Sequence, residues 1–225
     1  QNTGLVSGFL GKLLKTTNGG NIWQLIDLNT TNDLYTMHFV DNNTGYICSI
    51  YGTIYKTTNA GDNWVSYLTG YPYTLNGIFF VNASTGYTVG IQNAIYKTLN
   101  GGVNWFQIVL PPPYYSYNDV FFIDSALGYI TSSGFLLRTT DSGVNWNRIN
   151  LPVSGYVGDI QFLNQQTGYC GGWTSYGFIL YSSNGGINWS TQLMATQATC
   201  QALFMVNQYT GFATGANGKI FKTTN

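Results

Sequence analysis

The 225 residues carry eight basic and eight acidic side chains, a net charge of zero, and only 7% of the chain is charged against 44% hydrophobic and 16% aromatic. Zero net charge without basic clusters gives no electrostatic footprint for nucleic acid or an anionic membrane. The aromatic content excludes a disordered chain, and no apolar run approaches the roughly 18 residues of a membrane-spanning helix.

All eight acidic residues are Asp, so the polar surface must be built from Asn, Thr, Ser, Gln and Tyr, a habit of extracellular proteins. Few helix formers and many Gly, Thr, Tyr and Val predict an all-β chain. No signal-peptide pattern precedes the first repeat, a start compatible with a mature chain beginning at Gln1. Cys48, Cys170 and Cys200 occupy no repeated position. They read as buried free thiols, with a Cys170–Cys200 bridge between neighbouring repeats as the alternative.

In chain order, residues 1–26 supply three short strands, ending in the box Thr16-Thr17-Asn18-Gly19-Gly20-Asn21-Ile22-Trp23. The same Thr-x-Asn-x-Gly-x-x-Trp pattern returns at Thr57–Trp64, Thr98–Trp105, Thr139–Trp146 and, with Ser at its head, Ser182–Trp189. The tryptophans are spaced 41, 41, 41 and 43 residues apart. A period of about 40 residues is the signature of four-stranded propeller blades.

Four whole units are expected at about 34–68, 75–109, 117–150 and 157–193. Each opens on an apolar strand: Met37–Val40, Ile78–Val81, Val120–Ile123, Ile160–Leu163 and, in the last partial unit, Leu203–Val206. Near-continuous hydrophobicity marks a strand covered on both faces. Asp41, Asn82, Asp124, Asn164 or Asn207 follows, then a Thr-Gly-Tyr-type turn whose glycine (Gly45, Gly86, Gly128, Gly168, Gly211) is expected to supply positive φ. A third strand of the type Gly52-Thr-Ile-Tyr-Lys-Thr-Thr58 leads into the box, and the fourth begins at the Trp. The box chemistry reads as structural: Asn or Asp and Thr or Ser bond turn backbone, and Trp is expected to be a mostly buried plug. Phe39, Phe80, Phe122 and Phe162 are expected in equivalent buried positions.

These boxes, joined to the apolar-strand and Thr-Gly-Tyr units, resemble the BNR/Asp-box propellers. The similarity is greatest to the subgroup of photosystem II stability and assembly factor-like repeats found in secreted bacterial proteins. The resemblance covers essentially the whole chain. It implies a β-propeller of four-stranded antiparallel blades with at least five repeats, but leaves activity open, because sialidases, xyloglucanases, receptors and assembly factors share the box. Four of the five boxes carry Asn where that family usually has Asp.

Residues 200–225 supply three strands, and a sixth box opens at Thr223-Thr224-Asn225. The expectation is one propeller domain over 1–225, a piece of a longer ring cut inside a box; a five-bladed ring with a spare or swapped segment is the alternative. Loops on the face opposite the boxes vary most and are rich in aromatics: Tyr71, Tyr73, Tyr114, Tyr115, Tyr117, Tyr156, Trp173 and Tyr176 are the candidate binding residues. Residues 173–177 are an insertion that helps explain the spacing of 43. Asp119 and Asp159 stand at one repeated position on successive units, where other units have Thr36, Gly77 and Ala202. Paired carboxylates serve glycoside hydrolysis, a bound cation or loop capping, and the last reading is the ordinary one. His38, in a place held elsewhere by Phe79, Phe121, Gln161 and Phe204, reads as a hydrogen-bonded histidine facing the next blade.

No His/Cys cluster has metal spacing, and no phosphate loop or nucleophile elbow is present. No cofactor or metal is expected. Two arginines and no Glu exclude a sialidase. What remains is a non-enzymatic module binding a protein partner or glycan, extracellular or on the cell surface, with the periplasm as an alternative and a larger surface assembly as one setting. A glycoside hydrolase using Asp119 and Asp159 is the enzyme alternative.

Overall fold

The computed structural model describes residues 2–195 and 198–224; Asn225 of the sixth box lies outside them, as does Gln1. The described residues form 22 strands and one 3-10 turn, Ala216–Gly218. The fold is all-β, built of six propeller-type blade sheets that divide into two compact units, residues 1–115 and 116–225.

The first unit holds a three-stranded blade, β1 (Gly4–Ser7), β2 (Lys12–Thr16) and β3 (Gln24–Asp27), and two four-stranded blades. These are β4 (Leu34–Phe39), β5 (Gly45–Ser49), β6 (Thr53–Thr57) and β7 (Val65–Leu68), then β8 (Leu75–Phe80), β9 (Gly86–Gly90), β10 (Ile95–Thr98) and β11 (Phe106–Gln107). In the second unit β12 (Tyr117–Phe122), β13 (Gly128–Ser132), β14 (Phe135–Thr139) and β15 (Asn147–Asn150) make the fourth blade. The fifth is β16 (Tyr156–Phe162), β17 (Gly168–Trp173), β18 (Gly177–Ser182) and β19 (Ser190–Ala195), and the sixth is β20 (Ala202–Met205), β21 (Gly211–Thr214) and β22 (Ile220–Thr223). Every described pairing is antiparallel between consecutive strands; among the described residues blade one holds no counterpart of β4 and blade six none of β7.

The box is the same piece of hydrogen-bonded geometry five times. The Thr16 hydroxyl accepts from the Gly20 N–H at 3.0 Å and the Asn18 carboxamide oxygen from the Ile22 N–H at 2.9 Å. Thr57 with Asn59, Thr98 with Asn100, Thr139 with Asp141 and Ser182 with Asn184 repeat both contacts. The second glycine of each box takes positive φ, from 89° at Gly20 to 69° at Gly186, a region closed to most side chains. An Asx turn recurs at the first connection of each unit that has one, where Asp41, Asn82, Asp124, Asn164 and Asn207 each accept from two backbone N–H groups.

Two sequence expectations are corrected. The Thr-Gly-Tyr glycines do not have positive φ; they open the second strand in extended conformation. They are needed because a Cβ on Gly45 would lie 2.5 Å from the Phe39 ring, and one on Gly86 2.6 Å from Phe80. Gly128 and Gly168 meet Phe122 and Phe162 in the same way. The box tryptophans are also not mostly buried. Trp64, Trp105, Trp146 and Trp189 are half-buried and Trp23 is 40% exposed, because the ring lies along the outer turn rather than inside the sheet stack. The four half-buried rings are anchored at both ends, Nε1 donating to the second box glycine's carbonyl at 3.0–3.2 Å and one edge meeting the phenylalanine of the blade's first strand. Those phenylalanines are buried in blades three, four and five, whereas Phe39 is half-buried beside the three-stranded first blade.

Successive blades are locked by a tyrosine of the second strand. Tyr46 stacks on Phe80 with centroids 3.6 Å apart, and its hydroxyl, pushed up to about 12 by burial, donates to the Gly101 carbonyl in the next blade's box. Tyr129 does the same with Phe162 and Gly185. Lys56 and Arg138 point to the same carbonyls, and Lys15 pairs with Asp62 of the next box at 2.6 Å. Cys48, Cys170 and Cys200 are buried free thiols, and burial raises the pKa of both Cys170 and Cys200.

Candidate functional site

The first strands of neighbouring blades are joined by side chains reaching across to backbone. The Thr36 hydroxyl donates to the Asn76 carbonyl at 2.6 Å, and the buried Asn118 carboxamide donates to Val157 at 2.9 Å. Gln161 both donates to the Met205 carbonyl and accepts from its N–H. His38 belongs to this set: its Nε2 lies 3.1 Å from the Phe80 carbonyl, its ring packs on Phe79 at 4.4 Å, and burial lowers its pKa.

Asp119 and Asp159 occupy the same register on β12 and β16 and are bridges of the same kind. Asp159 accepts from the Leu203 N–H at 2.8 Å, and Asp119 accepts from Ile160 across the blade junction. The two carboxyls also interact with each other. Burial pushes both pKa values up, and the charge of Asp159 pushes Asp119 further, well above the ordinary carboxylate range. Full ionisation of both carboxyls is therefore disfavoured. Both carboxyls are committed to backbone N–H groups across the blade junctions, whereas a glycosidase keeps its pair free to engage the sugar and a water. Among the described residues no group of three His, Cys, Asp or Glu side chains could hold a metal ion. The pair is built to join blades.

The aromatic loops are assembled differently. In the first unit the loop after β7 runs beside the β9–β10 hairpin: Tyr71 donates to the Gln92 carbonyl at 2.7 Å, packs on Tyr73 at 5.0 Å and on Tyr96 at 5.5 Å. The Tyr73 carbonyl accepts from Gly52 N–H, which fixes that loop to its own blade. Tyr115 accepts from the Asn93 N–H through its carbonyl, and Tyr114 beside it is 70% exposed. In the second unit Tyr156 packs on Trp173 at 4.1 Å, and Tyr176 is 49% exposed at the tip of the β17–β18 hairpin. Tyr117 is 1% exposed and belongs to the core, so it offers no contact surface. Tyr117 opens β12 opposite Ser132, ahead of a register shift that breaks simple alternation, a detail that a count of loop tyrosines overlooks.

Each unit thus presents exposed tyrosines, Tyr73 and Tyr114 in one and Tyr176 in the other, backed by half-buried rings at Tyr71, Tyr115, Tyr156 and Trp173. The supporting hydrogen bonds run from loop to hairpin backbone, so the exposed rings stand on fixed ground. Their amphipathic faces and few rotatable bonds suit contact with a partner.

The model of a family described as photosynthesis system II assembly factor YCF48 matches residues 68–225. No curated protein sequence gives a significant match. Among solved structures, YCF48 bound to a D1 peptide superposes with a TM-score of 0.66 at 16% identity, covering 100% of this chain and 88% of that one. YCF48 from Cyanidioschyzon merolae gives 0.75 at 17% identity, over 99% and 79% of the two chains. The GH74 xyloglucanase from Xanthomonas campestris gives 0.75 at 13% identity, over 99% of this chain but 43% of the enzyme. At these identities the likeness is one of fold.

Proposed function

Since the chain belongs to the YCF48-type photosystem II assembly factor family, we propose that it is a non-enzymatic interaction module that binds a protein partner through its tyrosine-bearing loops. The observation that carries this is the exposure of Tyr73, Tyr114 and Tyr176, by 45%, 70% and 49%, the first two on loops hydrogen-bonded to hairpin backbone and the third at a hairpin tip. A solved relative holds a D1 peptide, which supports a polypeptide rather than a small molecule as ligand. The neutral, Glu-free surface suits an extracellular or cell-surface setting, and it makes contacts that rest on ring burial more than on charge.

The experiment is a pull-down with wild-type protein, a Tyr73→Ala/Tyr114→Ala/Tyr176→Ala variant and an Asp119→Asn variant, at low and high salt, alongside a glycan array. The expected result is a protein partner retained at both salt concentrations by wild type and by Asp119→Asn, and lost by the triple variant. Retention by the triple variant, glycan binding without a protein partner, or polysaccharide hydrolysis abolished by Asp119→Asn would each overturn the reading.

A further inference from the structure

The tips of the β5–β6 and β9–β10 hairpins carry side chains that their backbone does not favour. Both residues of each tip take positive φ, 56° and 64° at Tyr51-Gly52 and 55° and 64° at Gln92-Asn93. Such a turn suits Asn-Gly, because a left-handed backbone crowds a bulky side chain. Tyr51 nevertheless holds the first place of its turn and is 63% exposed, so packing within the chain does not offset the strain. A strained and exposed ring points to contact with something outside the chain.

Tyr51 also stands at one end of a continuous row in the first unit. Its neighbour Gly52 donates to the Tyr73 carbonyl at 2.8 Å, Ile91 to the Thr74 carbonyl at 3.2 Å, and Asn93 to the Tyr115 carbonyl at 2.7 Å. Backbone hydrogen bonds thus run from the tip at Tyr51, through the loop of Tyr73 and the tip at Gln92, to the loop of Tyr114. All four of these side chains are exposed, and segments 50–52, 69–74, 91–93 and 108–115 contain no charged residue. The polar groups between the rings are committed to backbone. The Tyr71 hydroxyl donates to the Gln92 carbonyl, the Thr69 hydroxyl to Gly52, and the Asn93 carboxamide to Leu110. A sugar would need several such groups aimed at its hydroxyls. What the row offers instead is ring faces with a phenol at each rim, and the Gln92 carboxamide.

We propose that this row binds a proline-rich polypeptide in the polyproline II conformation. That helix makes no internal hydrogen bonds, so its carbonyls are open to the hydroxyls of Tyr51, Tyr73 and Tyr114 and to the carboxamide of Gln92. Its pyrrolidine rings lie flat against aromatic faces. It is extended before it binds, so little order has to be imposed on it, and it asks for no charge from the surface. The inference rests on the loop reading above, names the class of polypeptide, and adds Tyr51 and Gln92 to the surface.

The probe is fluorescein-labelled decaproline, titrated with the intact protein and followed by anisotropy, beside a flexible Gly-Ser decamer and a cello-oligosaccharide. Backbone amide NMR locates the contact. Decaproline is expected to bind saturably, to shift the amides of Tyr51, Tyr73, Gln92 and Tyr114, and to change its Kd less than about twofold between low and high salt. Tyr51→Asn, which suits the turn and removes the ring, should weaken binding roughly tenfold and leave Tm unchanged or higher. Tyr51→Phe, which keeps the ring and drops only the hydroxyl, should weaken it less. Absence of decaproline binding, equal binding of the Gly-Ser peptide, the oligosaccharide bound in its place, or a Tm lowered by Tyr51→Asn would overturn the proposal. If the pulled-down partner is still lost by the Tyr73→Ala/Tyr114→Ala/Tyr176→Ala variant, any of those results removes the proline-rich assignment alone and leaves the loop reading standing.

Discussion

The box turns and the tyrosine-bearing loops lie in the same units, yet they are built on opposite terms. Five boxes repeat one set of hydrogen bonds to within a few tenths of an ångström, and those of the four four-stranded blades each pin a half-buried tryptophan against a phenylalanine. No two of the loops after β7, β11 and β15 share a sequence, and each is fixed by its own set of contacts. Repetition without variation marks a solution to the problem of joining blades; variation on a fixed base marks the place where a chain can differ from its relatives.

The comparison is broken most severely by attacking the junction behind a box. Phe80→Ala removes the ring that Tyr46 and Trp105 share, and a loss of about 3–5 kcal/mol is expected from denaturant unfolding. A loss under 1 kcal/mol would mean that the junction does not depend on the stack. Next comes the box itself. Trp105→Ala should cost about 2 kcal/mol, less than a fully buried aromatic because the ring is half-buried. Trp23→Ala should cost clearly less, since Trp23 is the most exposed of the five and meets no described ring. Equal losses at the two positions would remove the distinction between complete and three-stranded blades.

A third measurement sharpens the reading of the acid pair. Both carboxyls have raised folded-state pKa values, so the folded protein holds a proton that the unfolded chain releases above about pH 4. That contribution is fully present below the unfolded value and is lost as pH rises towards the raised folded one. Relative to Asp119→Asn, the wild type should therefore lose stability as pH increases from about 4, and the variant should gain on it at neutral pH. Parallel curves would show that the pair's values are not raised. The smallest effect belongs to the loops: Tyr114→Ala should change stability by no more than about 0.5 kcal/mol, as for an ordinary surface position, while weakening partner binding. A larger loss of stability would place Tyr114 with the structural residues.

Blade architecture was legible because the box needs particular atoms at particular spacings, and Thr, Asn, Gly and Trp announce themselves at that period. The glycine before each second-strand tyrosine was legible as a glycine but not for its reason. Its role is set by a ring six residues earlier in the chain, and a turn and a close approach leave the same letter in the sequence. Tyr117 was misplaced by one strand boundary, which is enough to turn a side chain from loop surface into core. The Asp119–Asp159 pairing was visible as equal register on successive units, whereas its raised pKa values and its closeness depend on how the blades pack.

The box amides also bear on how this protein ages. Asn18-Gly19, Asn100-Gly101 and Asn184-Gly185 are the dipeptide most prone to deamidation, in which the following backbone nitrogen attacks the side-chain carbonyl. In the box that nitrogen is engaged, its N–H donating to Asn2, Ser84 and Gln166 at 2.7, 2.8 and 2.9 Å, and the attack requires it to leave. Where hydrolysis does proceed to aspartate, the product is the residue that the fourth box already uses. Asp141 accepts from Asn145 and Thr139 as the amides do, and its carboxyl is held at about 2, chiefly by the Asn145 N–H. Attack releases ammonia and forms a succinimide, so where that ring opens to the aspartyl rather than the isoaspartyl form the turn keeps its shape with one added negative charge, and a long-lived chain would record part of its age in its isoelectric point.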